Sequence, residues 1–222
     1  MLSTAQWLNR VNARYPWNHN EHFHRWILRN LPARRQAAVD VGCGTGVLAE
    51  KLAARFARVT GIDADEGMTA AASERLAHEP HVSITRSRFD AYAATADDGN
   101  ADLITMVAVL HHLDLGETLP QISRLLAPGG RLLVVGLAKM DTPTDVMIDL
   151  VSLAANPVVG LIKHPHPALP ADEAAISQPV MPVRDPSTTL AEIAAAANAE
   201  LPGTAIHRRL FFRYTLRWEK PR

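Results

Sequence analysis

Two hydrophobic rhythms take turns along this chain. Short, nearly continuous apolar runs at 37–41, 58–62, 81–85, 102–108 and 131–136 read as buried strands. Between them, apolar residues recur at helical spacing over 46–56, 66–77 and 117–126. In 66–77 Met68, Ala72 and Leu76 share one side. A further helix is expected over Asn18–Leu31, with Asn18 or Asn20 as cap, an apolar face of Phe23, Ile27, Leu28 and Leu31, and Pro32 as stop. Strands alternating with helices predict an α/β fold, a doubly wound and mostly parallel sheet with helices on both faces. Turns are expected at the polar stretch Ala96–Asn100 and at Pro128-Gly129-Gly130. Thr189 and Glu192 have capping-box spacing before a helix over 189–200, which precedes a final hairpin.

The alternation breaks between 141 and 187. An apolar helical part, Val146 to Ala155, is followed by a Pro- and His-rich stretch, Lys163 to Pro170, and by prolines at 179, 182 and 186. So long a connection without clear elements is usually functional. The expected organisation is one domain over 1–222, with a helical cap at 1–35 and a lid-like insertion at 140–187. A surface excursion or a homodimer contact is the other reading of that insertion.

The richest chemistry lies in residues 38–46, Ala-Val-Asp-Val-Gly-Cys-Gly-Thr-Gly. A strand delivers Asp40, glycines follow at 42, 44 and 46, and a helix begins. Without Cβ atoms such a loop takes positive φ and lets a ligand lie on the backbone. The dinucleotide fingerprint G-x-G-x-x-G would place its third glycine at 47, where this chain has Val47. Asp63 ends the next apolar run, 21 residues beyond Gly42, where a carboxylate can accept hydrogen bonds from a ribose diol. Loop, helix and acid together predict an adenosine-containing ligand at the carboxyl edge of the sheet.

VDVGCGTG, then GIDADEGM at 61–68, DLITMVAVLHHL at 102–113 and LLAPGGRLLVV at 125–135 resemble, in order and spacing, the successive motifs of class I S-adenosylmethionine-dependent methyltransferases. The Leu-His-His-Leu segment is similar to that of the small-molecule branch containing the quinone-biosynthesis methyltransferases. The resemblance implies a seven-stranded Rossmann-like sheet whose last strand, supplied by 211–218, is antiparallel. It also implies S-adenosyl-L-methionine as cofactor, with S-adenosyl-L-homocysteine as product.

On that resemblance Asp40, Gly42, Cys43, Gly44 and Gly46 cradle the methionine half of the cofactor, and Asp40 orients its ammonium directly or through water. Asp63 would hold the ribose, while Ala64 and Met68 pack on adenine, where a thioether suits a π-face. Phe89 and Asp90 stand where an acid and a backbone N–H meet the adenine ring; Asp90 as a helix cap is the alternative. Val107, at the end of the fourth strand, would line the methyl-transfer site. His111 and His112 follow in a loop facing the acceptor, where a histidine near its ordinary pKa can take a proton or orient the substrate. Tyr15, Trp17, His22 and His111 are the candidates for binding substrate.

No metal is expected. His19, Glu21, His22 and His24 suggest a site, but His22 and His24 lack the i, i+4 spacing of one helix face. A formal net charge of zero argues against a nucleic-acid partner. Arginines at 208, 209, 213, 217 and 222 are expected as a solvated edge. A single cysteine, Cys43, rules out an internal disulfide, and no secretory leader or membrane-length apolar stretch is evident, so a cytoplasmic enzyme is expected. No Asn-Pro-Pro-aromatic signature appears. Together with the neutral charge this favours a small organic acceptor, lipophilic or aromatic, methylated on oxygen or carbon. Two other readings stand beside this one: a nicotinamide-dependent oxidoreductase, and a binding protein that kept the cofactor pocket without the chemistry.

Overall fold

The computed structural model describes residues 22–139, 141, 186–210 and 213–222. The expected roles of Tyr15 and Trp17, the 1–21 part of the cap and nearly all of the 140–187 insertion lie outside the described residues. Most of what is described forms one compact unit, Asn20–Lys139 with Arg184–Arg209 and Arg213–Arg222.

That unit is built in the order α1 His24–Arg29, β1 Ala37–Val41, α2 Val47–Ala53, β2 Arg58–Asp63, α3 Glu66–Arg75, β3 Val82–Arg86, α4 Phe89–Thr95, β4 Ala101–Val107, a 3-10 turn Leu110–His112, α5 Leu115–Leu125, β5 Leu126–Gly136, α6 Leu190–Glu200, β6 Ala205–Arg208 and β7 Tyr214–Glu219. The seven strands form one sheet in the order β3-β2-β1-β4-β5-β7-β6. The first five run parallel, and β7 inserts antiparallel between β5 and β6. The sheet reverses its winding between β1 and β4, which opens a crevice at their carboxyl ends, the usual ligand edge of such a sheet.

The pleat explains the layers. Val39, Val41, Ile62, Ile104 and Val134 pack under α4, α5 and α6 with Phe89, Ile122 and Ile193. Ala38, Val59, Leu103, Leu133 and Val135 face the other way, against Ile27 of α1 and Leu48 and Leu52 of α2. β1 and β4 are buried on both faces, so they read as continuous apolar runs rather than alternating ones. Asp102 is buried at the base of β4, where its Oδ2 accepts from the Gln36 and Ala37 amides at 2.6 and 3.0 Å and its Oδ1 pairs with Arg34 at 3.2 Å.

Several sequence expectations are refined. Pro128-Gly129-Gly130 is not a free turn but part of β5: the Gly129 amide donates to the Lys220 carbonyl and the Lys220 amide to that of Gly130. The ladder shifts register between Ala101 and Leu103 to absorb the extra residues. Residues 89–95 form a helix that periodicity did not show, since seven residues give it only Phe89 and Ala93 as buried anchors. The Thr189–Glu192 capping box is present with both of its hydrogen bonds. The arginine cluster is not uniformly solvated, because Arg213 is half-buried while Arg217 is exposed.

Candidate functional site

The glycine loop leaves β1 at the crevice. Gly42, Gly44 and Gly46 take φ of +66°, +52° and +79°, values that L side chains rarely adopt. Each glycine answers a different demand. A Cβ at Gly42 would stand 2.2 Å from Cγ2 of Val109, so the missing methyl lets the loop after β4 close over β1. A Cβ at Gly46 would meet Ala72 and Leu76 beside α3. Gly44 has nothing within 4 Å of its Cβ position, so its bare backbone faces open space.

Two carboxylates flank this loop. Asp40 is buried at the end of β1; its Oδ1 accepts from Thr105 Oγ1 at 2.7 Å, while its Oδ2 is buried without a hydrogen-bond partner. Burial pushes its pKa up to about 7, the Thr105 hydrogen bond opposes the rise, and the Asp63 charge adds to it. Asp63, half-buried at the end of β2, accepts from the Gly44 amide at 2.9 Å and from the Asp65 amide at 2.9 Å. An ionised carboxylate has about four lone-pair sites, so two remain for a ligand.

Cys43 is buried, and burial raises its thiol pKa, with Asp40 and Asp63 adding to the shift. Its Sγ lies 3.1 Å from the Cβ position of Gly61, so the side chain packs on β2 while its amide donates to Ile62 O at 3.0 Å. Beyond Asp63, Ala64 is exposed, and Met68 is buried with its amide bound to Asp65 Oδ1 in the cap of α3.

Phe89 opens α4 and is buried in the core. Asp90 stands in the first turn of α4 rather than at its N-cap, which is Arg88. Arg88 Nε pairs with Asp90 Oδ1 at 3.2 Å, and this hydrogen bond lowers the pKa of Asp90.

The end of β4 carries the other half of the site. Val107 is half-buried, and Ala108 has φ +57°, the one non-glycine residue with positive φ among the described residues. Ala108 is pinned there by a 2.7 Å hydrogen bond from its amide to Val135 O. Such backbone strain clusters where structure serves function. The chain then folds into the 3-10 turn that brings the rings of His111 and His112 together, with centroids 3.9 Å apart and planes tilted by 39°. His111 Nδ1 is buried without a hydrogen-bond partner. Burial, with His112 and Arg213 adding to it, lowers the pKa of His111 to about 4, so the ring is neutral at pH 7.

His22 is exposed and meets the Phe23 ring edge-on at 5.2 Å. His24 is buried and accepts at Nδ1 from Lys51 Nζ at 3.0 Å, so tertiary packing of α1 on α2 occupies it. Among the described residues no group of three or more His, Cys, Asp or Glu could hold a metal, and no helix is long and apolar enough to cross a membrane. Sequence reasoning missed Thr105 and Arg213. Thr105 interrupts an apolar strand opposite Asp40, in register with it, and that is a readable signal. For Arg213 the chain alone offers none.

The orphaned Asp40 Oδ2, the open Gly44 backbone and the half-buried Asp63 suit a ligand with an ammonium at one end and a ribose at the other. The profile of the methyltransferase domain family matches residues 39–132. An uncharacterized methyltransferase of Mycobacterium tuberculosis is 32% identical over 213 residues, which cover 93% of this chain and 98% of that one. A ubiquinone biosynthesis O-methyltransferase of Aromatoleum aromaticum is 33% identical over 114 residues, 48% of this chain and 46% of that protein. The crystal structure of a SAM-dependent methyltransferase from Aquifex aeolicus superposes with a TM-score of 0.56 at 16% identity, covering 96% of each chain. The chain belongs to the methyltransferases. Within them it is a class I enzyme that uses S-adenosyl-L-methionine.

Proposed function

We propose that this enzyme transfers methyl to a small lipophilic or aromatic acceptor, and that the transfer takes place over the carboxyl ends of β1 and β4. The observation that carries this reading is the placing of Asp40 Oδ2, without a partner, behind the glycine loop, while Val107–His112 follow from the adjacent strand. Asp40 and the backbone of Gly42, Cys43, Gly44 and Gly46 hold the methionine half of S-adenosyl-L-methionine. Asp63 holds the ribose. Ala64 and Met68, with Phe89 and Asp90, border the adenine. The cofactor supplies a methyl already activated on a sulfonium.

What the chain contributes is position. Effective molarities allow about 7–11 kcal/mol from holding the acceptor in line. Val107 and the strained Ala108 set the floor against which the acceptor lies. His111, neutral and with a buried nitrogen lacking a partner, orients the acceptor by a hydrogen bond. His112 is the exposed member of the pair. A formal net charge of zero disfavours nucleic acid as the acceptor.

The reading is tested by incubating the protein with radiolabelled S-adenosyl-L-methionine and a panel of phenols, catechols and quinols. Labelled organic-phase product that disappears in His111→Ala, with S-adenosylhomocysteine affinity unchanged, supports it. Transfer to glutamine-containing peptides or nucleic acid alone contradicts it.

A further inference from the structure

The strands that carry Asp40, Asp63 and Val107 to the carboxyl edge begin at Ala37, Arg58 and Ala101 on the opposite edge of the sheet. There the layers leave a gap. A cavity of about 330 Å³ lies among the first residues of β1, β2 and β4, the last turns of α4 and α5, and the loop between α4 and β4. Its apolar wall is Ala37, Val39, Ala96, Ala101 and Leu125. Alanine stands at Ala37, Ala96 and Ala101, and side chains this short leave the space between sheet and helices open. Close-packed interiors hold few voids larger than a water molecule, and small-molecule sites begin at about 300 Å³.

The polar lining is Arg58, Thr60, Tyr92, Asp97 and Asn100. Arg58 and Asn100 meet across the start of β1, where the guanidinium donates to Asn100 Oδ1 at 3.0 Å. That bond uses one end of the guanidinium, so its other N–H groups and the Asn100 side-chain NH2 remain as donors. The Arg58 charge bears on the Tyr92 hydroxyl, opposing the rise in pKa that burial gives the phenol, so a third donor stands near the first two. Among the described residues the Tyr92 hydroxyl has no hydrogen-bond partner. Asp97 is exposed and has no ion-pair partner among them either; Arg124 takes its neighbour Asp98 instead. Clustered donors with a cation suit a carboxylate, and an unpaired carboxylate beside them suits an ammonium.

We propose that this cavity is a second binding site, on the edge opposite the cofactor's, for a small α-amino acid with an apolar side chain. Arg58, Tyr92 and Asn100 take its carboxylate, Asp97 takes its ammonium, and the alanine-walled interior takes its side chain. A plain carboxylic acid meets the same donors but brings a second anion to Asp97. A plain amine satisfies Asp97 and leaves the donors unused. The inference stands apart from the methyl-transfer reading, which uses none of these residues.

The probe is L-leucine, titrated by calorimetry into the full chain. Saturating S-adenosylhomocysteine is present, so that the zwitterion place proposed at Asp40 is already filled. The expected result is leucine bound at least about fivefold more tightly than 4-methylpentanoate or 3-methylbutylamine, each of which lacks one of its charges. Ala96→Leu, at a half-buried position, fills the interior and abolishes binding. Arg58→Gln weakens leucine by at least about fivefold. Asp97→Asn brings leucine and 4-methylpentanoate to within about twofold of each other. Arg55→Gln, at an exposed arginine that bonds Lys51 O and does not line the cavity, changes nothing. No binding of leucine by the wild type, equal binding of leucine and 4-methylpentanoate, or affinity that survives both Arg58→Gln and Ala96→Leu overturns the proposal. Leucine that binds only when S-adenosylhomocysteine is left out occupies the glycine loop instead, and that also overturns it. Failure of S-adenosylhomocysteine to bind would count against the methyl-transfer reading alone, because the response to Arg58→Gln and Ala96→Leu is read equally well without it.

Discussion

The Gly44 amide donates a 2.9 Å hydrogen bond to Asp63 Oδ2, tying the middle of the glycine loop to the end of the neighbouring strand. The same carboxylate caps the Asp65 amide through Oδ1. Asp63 therefore shapes the loop, and on the proposed reading it holds the ribose as well. Asp63→Ala removes an anionic acceptor of two backbone amides and is expected to cost about 2–3 kcal/mol of stability. It should also weaken S-adenosylhomocysteine binding by at least about 30-fold. Urea unfolding and calorimetric titration measure the two effects separately. Unchanged affinity in a folded Asp63→Ala protein would remove the ribose assignment.

On the proposed reading, Asp40 makes cofactor binding depend on protons. Its folded pKa of about 7 means the carboxyl is roughly half protonated at neutral pH. An ammonium against Oδ2 favours the ionised form, so binding should release a fraction of a proton, and affinity should rise as pH climbs through 7. Titration calorimetry in two buffers of different ionisation enthalpy reads the proton count directly. Asp40→Asn is expected to abolish the release.

Gly42 and Val109 form a lock between β1 and the loop after β4. Gly42→Ala introduces both a positive-φ strain and a 2.2 Å clash with Val109 Cγ2. The expected loss is about 2–4 kcal/mol. Adding Val109→Ala should relieve the clash but not the backbone strain, so about 1–2 kcal/mol remains. A double-mutant cycle on unfolding free energy tests this, and strict additivity would contradict it.

How much of this was legible beforehand divides along local and non-local lines. The strand at 37–41, the three glycines and Asp63 carry their signal in adjacent residues, and the structure places them as read. The capping box at Thr189 is equally local. The helix at 89–95 was not legible, because a seven-residue segment with two buried anchors shows no period, and Arg88 makes no side-chain cap. His24 resembled part of a metal cluster only until Lys51, 27 residues away, became its partner. Arg213 looked like the other arginines of its segment, and no nearby residue announces that it is half-buried just before β7.

The strained Ala108 predicts unequal responses to two small changes. Its φ of +57° costs an alanine about 1–2 kcal/mol, which glycine would not pay. Ala108→Gly should therefore leave stability within about 1 kcal/mol, since relief of strain is offset by a more flexible unfolded chain. Ala108→Val puts a β-branched residue in the same conformation and should cost at least about 2 kcal/mol. Both follow from urea melts, and an equal loss in the two variants would contradict a strain-based account.

His24 predicts acid sensitivity. Burial first, and then Lys51, lower its folded pKa from 6.5 to about 4, so the native state holds it neutral. Below pH 6.5 the unfolded chain takes up a proton that the folded one refuses, so stability falls as pH drops from about 6.5 toward 4. At pH 5 the loss approaches about 2 kcal/mol. Asp40, with its raised pKa, acts in the opposite direction over the same range. The difference between wild type and His24→Asn in unfolding free energy, measured at pH 7 and pH 5, isolates the histidine. It should shrink at the lower pH.

The most direct test of the central claim is calorimetric titration of the purified protein with S-adenosylhomocysteine, with NADH as control. The account predicts micromolar binding of S-adenosylhomocysteine, lost in Asp63→Ala, and none of NADH. Binding of NADH without S-adenosylhomocysteine would contradict it.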